Sequence, residues 1–179
     1  TQETIFEKNV DKTIYPASMT KIMTVYVVFD RIKNTSLSFN DKCTISKKAY
    51  RMGGSRMFLE QNDKVTINDL LLGIIIQSGN DASVAISECL SGTEEEFAKL
   101  MNIYANDLDL HNTHFINSSG WPNDDHYSTV RDLAILSASL IKDFPELYAY
   151  FQEKEFTYNK IRQPNRNRLL THVDGVDGL

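Results

Sequence analysis

Apolar residues run almost unbroken from Ile22 to Phe29, interrupted only by Thr24. A helix on a protein surface shows one apolar stripe; this segment is apolar on nearly every face, which suits a helix buried on all sides. Pro16 fits the first turn of such a helix, where its missing N–H costs nothing. The β-branched content leaves a buried strand as the alternative. Upstream, Glu3 to Lys8 reads as a short strand ending at a turn over Asn9 to Lys12. Residues 34–64 are polar and irregular, with Gly53-Gly54 and short extended pieces such as Cys43 to Ser46. Three Thr-x-x-Asp/Glu pairs then mark helix starts: Thr66 with Asp69, Thr93 with Glu96, and Thr129 with Asp132. The first opens the apolar run Ile67 to Ile76, which Ser78-Gly79-Asn80 breaks, and Asp81 to Ser91 reads as the next helix, closed by Gly92. The second extends to about Leu110 and the third to about Lys142, before Pro145; Glu146 to Gln152 is a short helical piece. The tail alternates as a strand over Lys154 to Ile161, turns over Gln163 to Arg168, and reads as a second strand over Leu169 to Val173.

This order predicts a helical middle with strands at both ends, the two ends pairing in one sheet around the helices. The chain has 179 residues, 41% hydrophobic and 24% charged, so disorder and collagen-like structure are excluded and one core can be well buried. The net charge of −5 argues against nucleic acid as the main partner, because phosphate binding needs a basic face. Cys43 and Cys89 are too few for a disulfide scaffold and lack metal-site spacing. They can pair or stay reduced, and two unpaired small residues are the favoured expectation. No apolar run reaches a membrane span of roughly 18–20 residues. No leader is visible, yet the chain starts at Thr1 and is expected to be a processed or trimmed piece.

Ser18-Met19-Thr20-Lys21 has the spacing Ser-x-x-Lys. On a helix, positions i and i+3 share a face, so hydroxyl and amine can touch. A serine is a poor nucleophile until a base takes its proton, and a lysine serves once desolvation lowers its pKa. Free N–H groups at a helix start favour a developing oxyanion. The motif alone is weak: with 14 Ser and 12 Lys about one match is expected by chance, and Ser139 with Lys142 also fits. That second pair reads as structural, a lysine at a helix C-terminus. Ser78-Gly79-Asn80 has the spacing Ser-x-Asn, matched also by Ser38 and Asn40. A serine at this junction can relay a proton and an asparagine can hold both a lysine and a substrate amide. On spacing alone, a helix C-cap explains it better. His111 and His114 lie near Asp107 and Asp109, but no third ligand has regular spacing, and surface or loop residues are expected. Gly-x-Ser-x-Gly elbows and phosphate-binding Gly-rich loops are absent from the sequence.

The motifs change weight together. Tyr15-Pro16-Ala17-Ser18-Met19-Thr20-Lys21-Ile22-Met23-Thr24 resembles the active-serine segment of D-alanyl-D-alanine carboxypeptidases, the low-molecular-mass penicillin-binding proteins. Gly53 to Leu59, Leu70 to Gly73 and Gln77 to Ser83 resemble the next block of that family. Asn117 to Gly120, His126 to Thr129 and Arg131 to Ala134 resemble the third, and Asn165 to Leu170 with Val176 to Leu179 the approach to the last.

The resemblance implies an α/β (α+β) fold of the beta-lactamase/transpeptidase type, a helical subdomain over approximately residues 34–140 plus an antiparallel sheet that is incomplete in this chain. It implies one truncated catalytic domain over residues 1–179. Ser18 would attack the carbonyl between two terminal D-alanines, Lys21 would accept its proton, Ser78 would pass a proton to the leaving D-alanine, and Asn80 would orient the substrate amide and Lys21. No metal or cofactor is implied. The implied partners are a peptidoglycan stem peptide and beta-lactam antibiotics. The implied location is the periplasm or outer face of the cytoplasmic membrane, with peripheral membrane attachment through a region absent here. The family's Lys-Thr-Gly would follow Leu179 directly, so the 179 residues alone are expected to be inactive and poorly stable. One rival is a serine beta-lactamase, which needs a deacylating base; Phe144 stands where its glutamate would be and Tyr148 where its asparagine would be. The other is a non-catalytic penicillin-binding or sensing module on the same fold.

Overall fold

The computed structural model describes residues 4–178. Its centre is α1, Thr20–Asn34, in which Met23, Val27, Val28 and Phe29 are fully enclosed. Burial on every face explains the missing periodicity and decides for helix over strand at this run. Against α1 pack α3 (Ile67–Gln77), α4 (Asn80–Ser91), α5 (Glu94–Asp107) and α6 (Val130–Asp143). The three threonine caps hold: the side chains of Thr66, Thr93 and Thr129 accept from the backbone N–H of Asp69, Glu96 and Asp132. Gly92 ends α4 with a positive φ. A short helix, α2 (Lys47–Arg51), lies in the polar stretch, capped by Ser46.

The strands form two antiparallel ribbons. β1 (Lys42–Thr44) pairs with β2 (Lys64–Thr66), with Cys43 opposite Val65. β3 (Glu155–Tyr158) pairs with β4 (Ile161–Pro164), with Phe156 opposite Gln163, and this hairpin packs on α3. The expected tail strand therefore folds back on itself. Asn159 and Lys160 both take positive φ (49° and 65°), the backbone of a tight two-residue hairpin turn. Gln163 belongs to β4 rather than to a turn, and Leu169–His172 forms one helical turn, α7, instead of a second strand. Asn167 Oδ1 accepts from the N–H of Leu169, which starts that turn.

The expected N-terminal strand is also different. Glu3 lies outside the described residues, and Ile5 and Phe6 are 96% and 81% exposed with no strand beside them. Among the described residues the N-terminal end pairs through an isolated bridge between Ile14 and Ser128, not with the tail. Cys43 and Cys89 form a disulfide, correcting the expectation of unpaired thiols; their Cα atoms stand 5.4 Å apart, a separation only the folded chain could reveal. It ties β1 to the last turn of α4. Among the described residues no helix is long and apolar enough to cross a membrane.

Candidate active site

Ser18 sits on a 3-10 turn, Ala17–Met19, that feeds directly into α1. One turn on, Lys21 is 4% exposed, beneath the exposed Ser18. The amine makes three contacts: Ser18 Oγ at 3.1 Å, Asn80 Oδ1 at 2.8 Å and the Ser119 carbonyl at 2.7 Å. Burial, with a further push from the Arg166 guanidinium and against the pull of Asp81, holds its pKa down at about 8 rather than 10.5. A charged Lys21 donates to all three oxygens. A neutral Lys21 has two N–H groups and a lone pair; donating to the two nearer acceptors, Asn80 and Ser119, leaves that lone pair for the Ser18 hydroxyl proton. Chemically, such an arrangement can let the amine take the proton of the hydroxyl.

Asn80 is the first residue of α4 and is held from three sides. Its N–H donates to Ser55 O (2.7 Å), Nδ2 donates to Gly53 O (2.9 Å), and Oδ1 accepts from Lys21. Gly54 next to it has φ +72°, and a Cβ there would meet Nδ2 at 2.8 Å, so only glycine lets the loop lie this close. Ser78 caps α3 in the left-handed region (φ 56°) and lines one cavity with Ser18 and Lys21. Its Oγ is buried with no hydrogen-bond partner among the described residues. Ser18, Lys21 and Asn80 are therefore directly bonded through the amine, while Ser78 faces the same cavity without joining that network.

Several supports were not foreseen. The Ser119 carbonyl is a backbone group that side-chain motifs do not announce. It is presented by a turn in which Asn117 Oδ1 accepts from the N–H groups of Ser119, Gly120 and Trp121. Glu94 clamps this turn by accepting from the Ser118 N–H and hydroxyl, and Thr24 of α1 donates to the Ser118 carbonyl. Gly120 (φ +79°) lies on the serine turn: a Cβ would stand 1.7 Å from the Ala17 carbonyl oxygen. Ala17 itself has φ 47°. Beneath Ser18, the His126 ring accepts from the Ile116 N–H at Nδ1, so its proton is on Nε2, which donates to Thr20 Oγ1 at 2.7 Å. Burial first, then His114, pushes His126 down to about 4, keeping it neutral. Asp81, fully buried, accepts from the N–H groups of Met57, Phe58 and Leu59 and so pins the loop that holds Asn80.

The weaker candidates lie elsewhere. Ser139 and Lys142 stand on α6, where Lys142 is in the last turn. Ser38 and Asn40 form a local turn, Asn40 N–H donating to Ser38 Oγ. His114 Nδ1 contacts the Asp125 carbonyl, and His111 lies 3.8 Å from Asp109 on the surface. Phe144 and Tyr148, the positions compared with the beta-lactamase glutamate and asparagine, are core residues, Phe144 packing edge-on to Tyr26 and Phe29.

The model of the D-alanyl-D-alanine carboxypeptidase family matches residues 1–179. The chain is 47% identical to D-alanyl-D-alanine carboxypeptidase DacC of Escherichia coli K12, over 97% of this chain and 45% of that one. It is 41% identical to DacF of Bacillus subtilis, over 100% of this chain and 47% of that protein. Among solved structures, penicillin-binding protein 5 of Haemophilus influenzae superposes with a TM-score of 0.90 at 43% identity, covering 94% of this chain and 50% of that one. Penicillin-binding protein D2 of Listeria monocytogenes, solved in an ampicillin-bound form, superposes with a TM-score of 0.87 at 30% identity, covering 99% and 72%. The chain spans about half the length of the curated relatives it matches. Those matches run the length of the chain, through the serine, lysine and asparagine that meet at one amine, and the chain belongs to the D-alanyl-D-alanine carboxypeptidase family.

Proposed function

We propose that the protein is a serine D-Ala-D-Ala carboxypeptidase that trims peptidoglycan stem peptides through an acyl-enzyme. The observation that carries this is the convergence of Ser18 Oγ, Asn80 Oδ1 and the Ser119 carbonyl on a buried amine whose pKa is held near 8. Ser18 attacks the carbonyl between the two terminal D-alanines as its proton moves to Lys21. Ser78, whose hydroxyl lines the same cavity, gives its proton to the departing D-alanine nitrogen and takes one back from the Lys21 ammonium, which returns the amine to its neutral form. Asn80 aligns Lys21 and the substrate amide. Water then attacks the ester carbonyl, releasing the shortened peptide and restoring the Ser18 hydroxyl. Beta-lactams acylate the same oxygen. No residue of this scheme needs a metal or cofactor.

The substrate lies outside the cytoplasmic membrane, which calls for export to the periplasm or the outer membrane face; the Cys43–Cys89 disulfide suits an oxidising compartment. The 179 residues are read as one part of the catalytic domain, with a helical subdomain over approximately residues 34–140. The test is D-alanine release from diacetyl-L-Lys-D-Ala-D-Ala by the full-length protein. Release that disappears in Ser18→Ala supports the reading. No release by wild type, or release that survives Ser18→Ala, contradicts it.

A further inference from the structure

Next to the serine cavity lies a second one that is out of character for an acidic chain. It encloses about 490 Å3, and its wall carries Arg56, Arg166 and Arg168 with no carboxylate. Gln77, on this wall, leads straight into Ser78 of the serine cavity. Gly54, also on this wall, touches the Asn80 amide. The two cavities are therefore neighbours across one strip of backbone. The neighbourhood is also electrostatic, since Arg166 is among the groups that lower the Lys21 pKa.

Arg166 and Arg168 have no carboxylate partner among the described residues. Arg166 donates Nη1 to Ser55 Oγ at 2.6 Å, an uncharged partner. Arg56 gives Nη2 to the Tyr50 carbonyl, while its Nε is buried and has no hydrogen bond. Asp81 makes a long ion pair with that nitrogen at 4.0 Å while also accepting from four backbone N–H groups. Arg168 is exposed, and its guanidinium has no hydrogen bond or ion pair among the described residues. Two other arginines are matched to carboxylates: Arg131 pairs with Asp11 and Glu7, and Arg162 with Glu155. A planar guanidinium fork is the best side-chain match to a carboxylate.

We propose that this cavity is an anion subsite that takes a carboxylate carried by the peptide substrate upstream of the scissile bond. The inference rests on the peptidase reading. The terminal carboxylate is one residue from the reacting carbonyl, a reach of about 3.5 Å, which keeps it in the serine cavity. The arginines line a separate cavity bordered by Gln77 and Gly54, which a longer group of the same peptide would have to enter.

The test is calorimetric binding to the full-length Ser18→Ala variant, which cannot form the acyl-enzyme. The probes are Nα-acetyl-Nε-succinyl-L-Lys-D-Ala-D-Ala and its succinamide counterpart, alike in size but differing by one carboxylate. The carboxylate peptide is expected to bind roughly tenfold tighter at low salt, a preference that shrinks as salt rises. Adding Arg168→Gln should cut the preference to about threefold or less, and adding Arg56→Gln should do the same. Equal binding of the two peptides, undetectable binding of both, or a preference that survives both substitutions overturns the proposal. So does an equal weakening of both peptides, which would place their shared terminal carboxylate on the arginines. A penicillin adduct on wild-type Ser18 is read separately, so failure of the subsite and failure of the peptidase reading give different results.

Discussion

Asn80→Asp puts a negative charge 2.8 Å from the Lys21 amine with almost no change in shape. At an effective dielectric of 20 the Coulomb attraction is about 6 kcal/mol, an upper limit because the new carboxylate loses solvation and faces the Gly53 carbonyl. A neighbouring opposite charge typically moves a pKa by about 1–3 units. The carboxylate favours the ammonium, so Lys21 rises from about 8 to roughly 9–11. In the proposed mechanism the reactive form is the neutral amine. At pH 8 its fraction falls from about one half to between roughly 9% and 0.1%, slowing Ser18 acylation by about 5- to 500-fold. The assay is the second-order rate of fluorescent-penicillin labelling of the full-length protein between pH 6 and 11. Wild type should rise through pH 8 and then level. The variant should rise at higher pH and regain much of the lost rate there. A variant that is slow at every pH with an unmoved inflection would refute the electrostatic role of Asn80. An inflection below that of wild type would refute the reasoning altogether.

Two further outcomes follow from the same geometry. Gly120→Ala drives a Cβ into the Ala17 carbonyl from a positive-φ position, so the serine turn must shift; penicillin labelling should slow more than tenfold, and near-wild-type labelling would mean the turn yields freely. Cys89→Ala opens a loop closed across 46 residues, which chain entropy values at about 4 kcal/mol, with about 2–4 expected in denaturant unfolding; no loss would show that the disulfide adds nothing to stability.

The helices were legible where local chemistry decides them. A threonine followed three residues later by an acid marked the start of α3, α5 and α6, because both the cap and the dipole act within one turn. The Ile22 to Phe29 run was legible as a buried element, although its period could not separate helix from strand. The ends were read less well because their outcome depends on partners distant in sequence. Leu169 to Val173 has strand-like residues, but Asn167 starts a helical turn there. The Lys154 to Ile161 alternation concealed a hairpin, since Asn-Lys at 159–160 is not the usual glycine-bearing turn signal. At the site, Ser18, Lys21, Ser78 and Asn80 were nameable from spacing and resemblance. That Ser18 and Asn80 meet at the Lys21 amine was not, because Lys21 and Asn80 are 59 positions apart and only folding brings them together. The Ser119 carbonyl has no side-chain signature, and Asp81 and Glu94 act by holding backbone N–H groups that only the folded chain brings to them.

The central claim is that Ser18 is a nucleophile activated by Lys21. The measurement that meets it most directly is the intact mass of the full-length protein and of its Ser18→Ala variant after incubation with penicillin. The account predicts a lasting adduct of one penicillin on wild type and none on the variant. An adduct that persists in Ser18→Ala, or a wild type that leaves the drug intact and gains no mass, would contradict it.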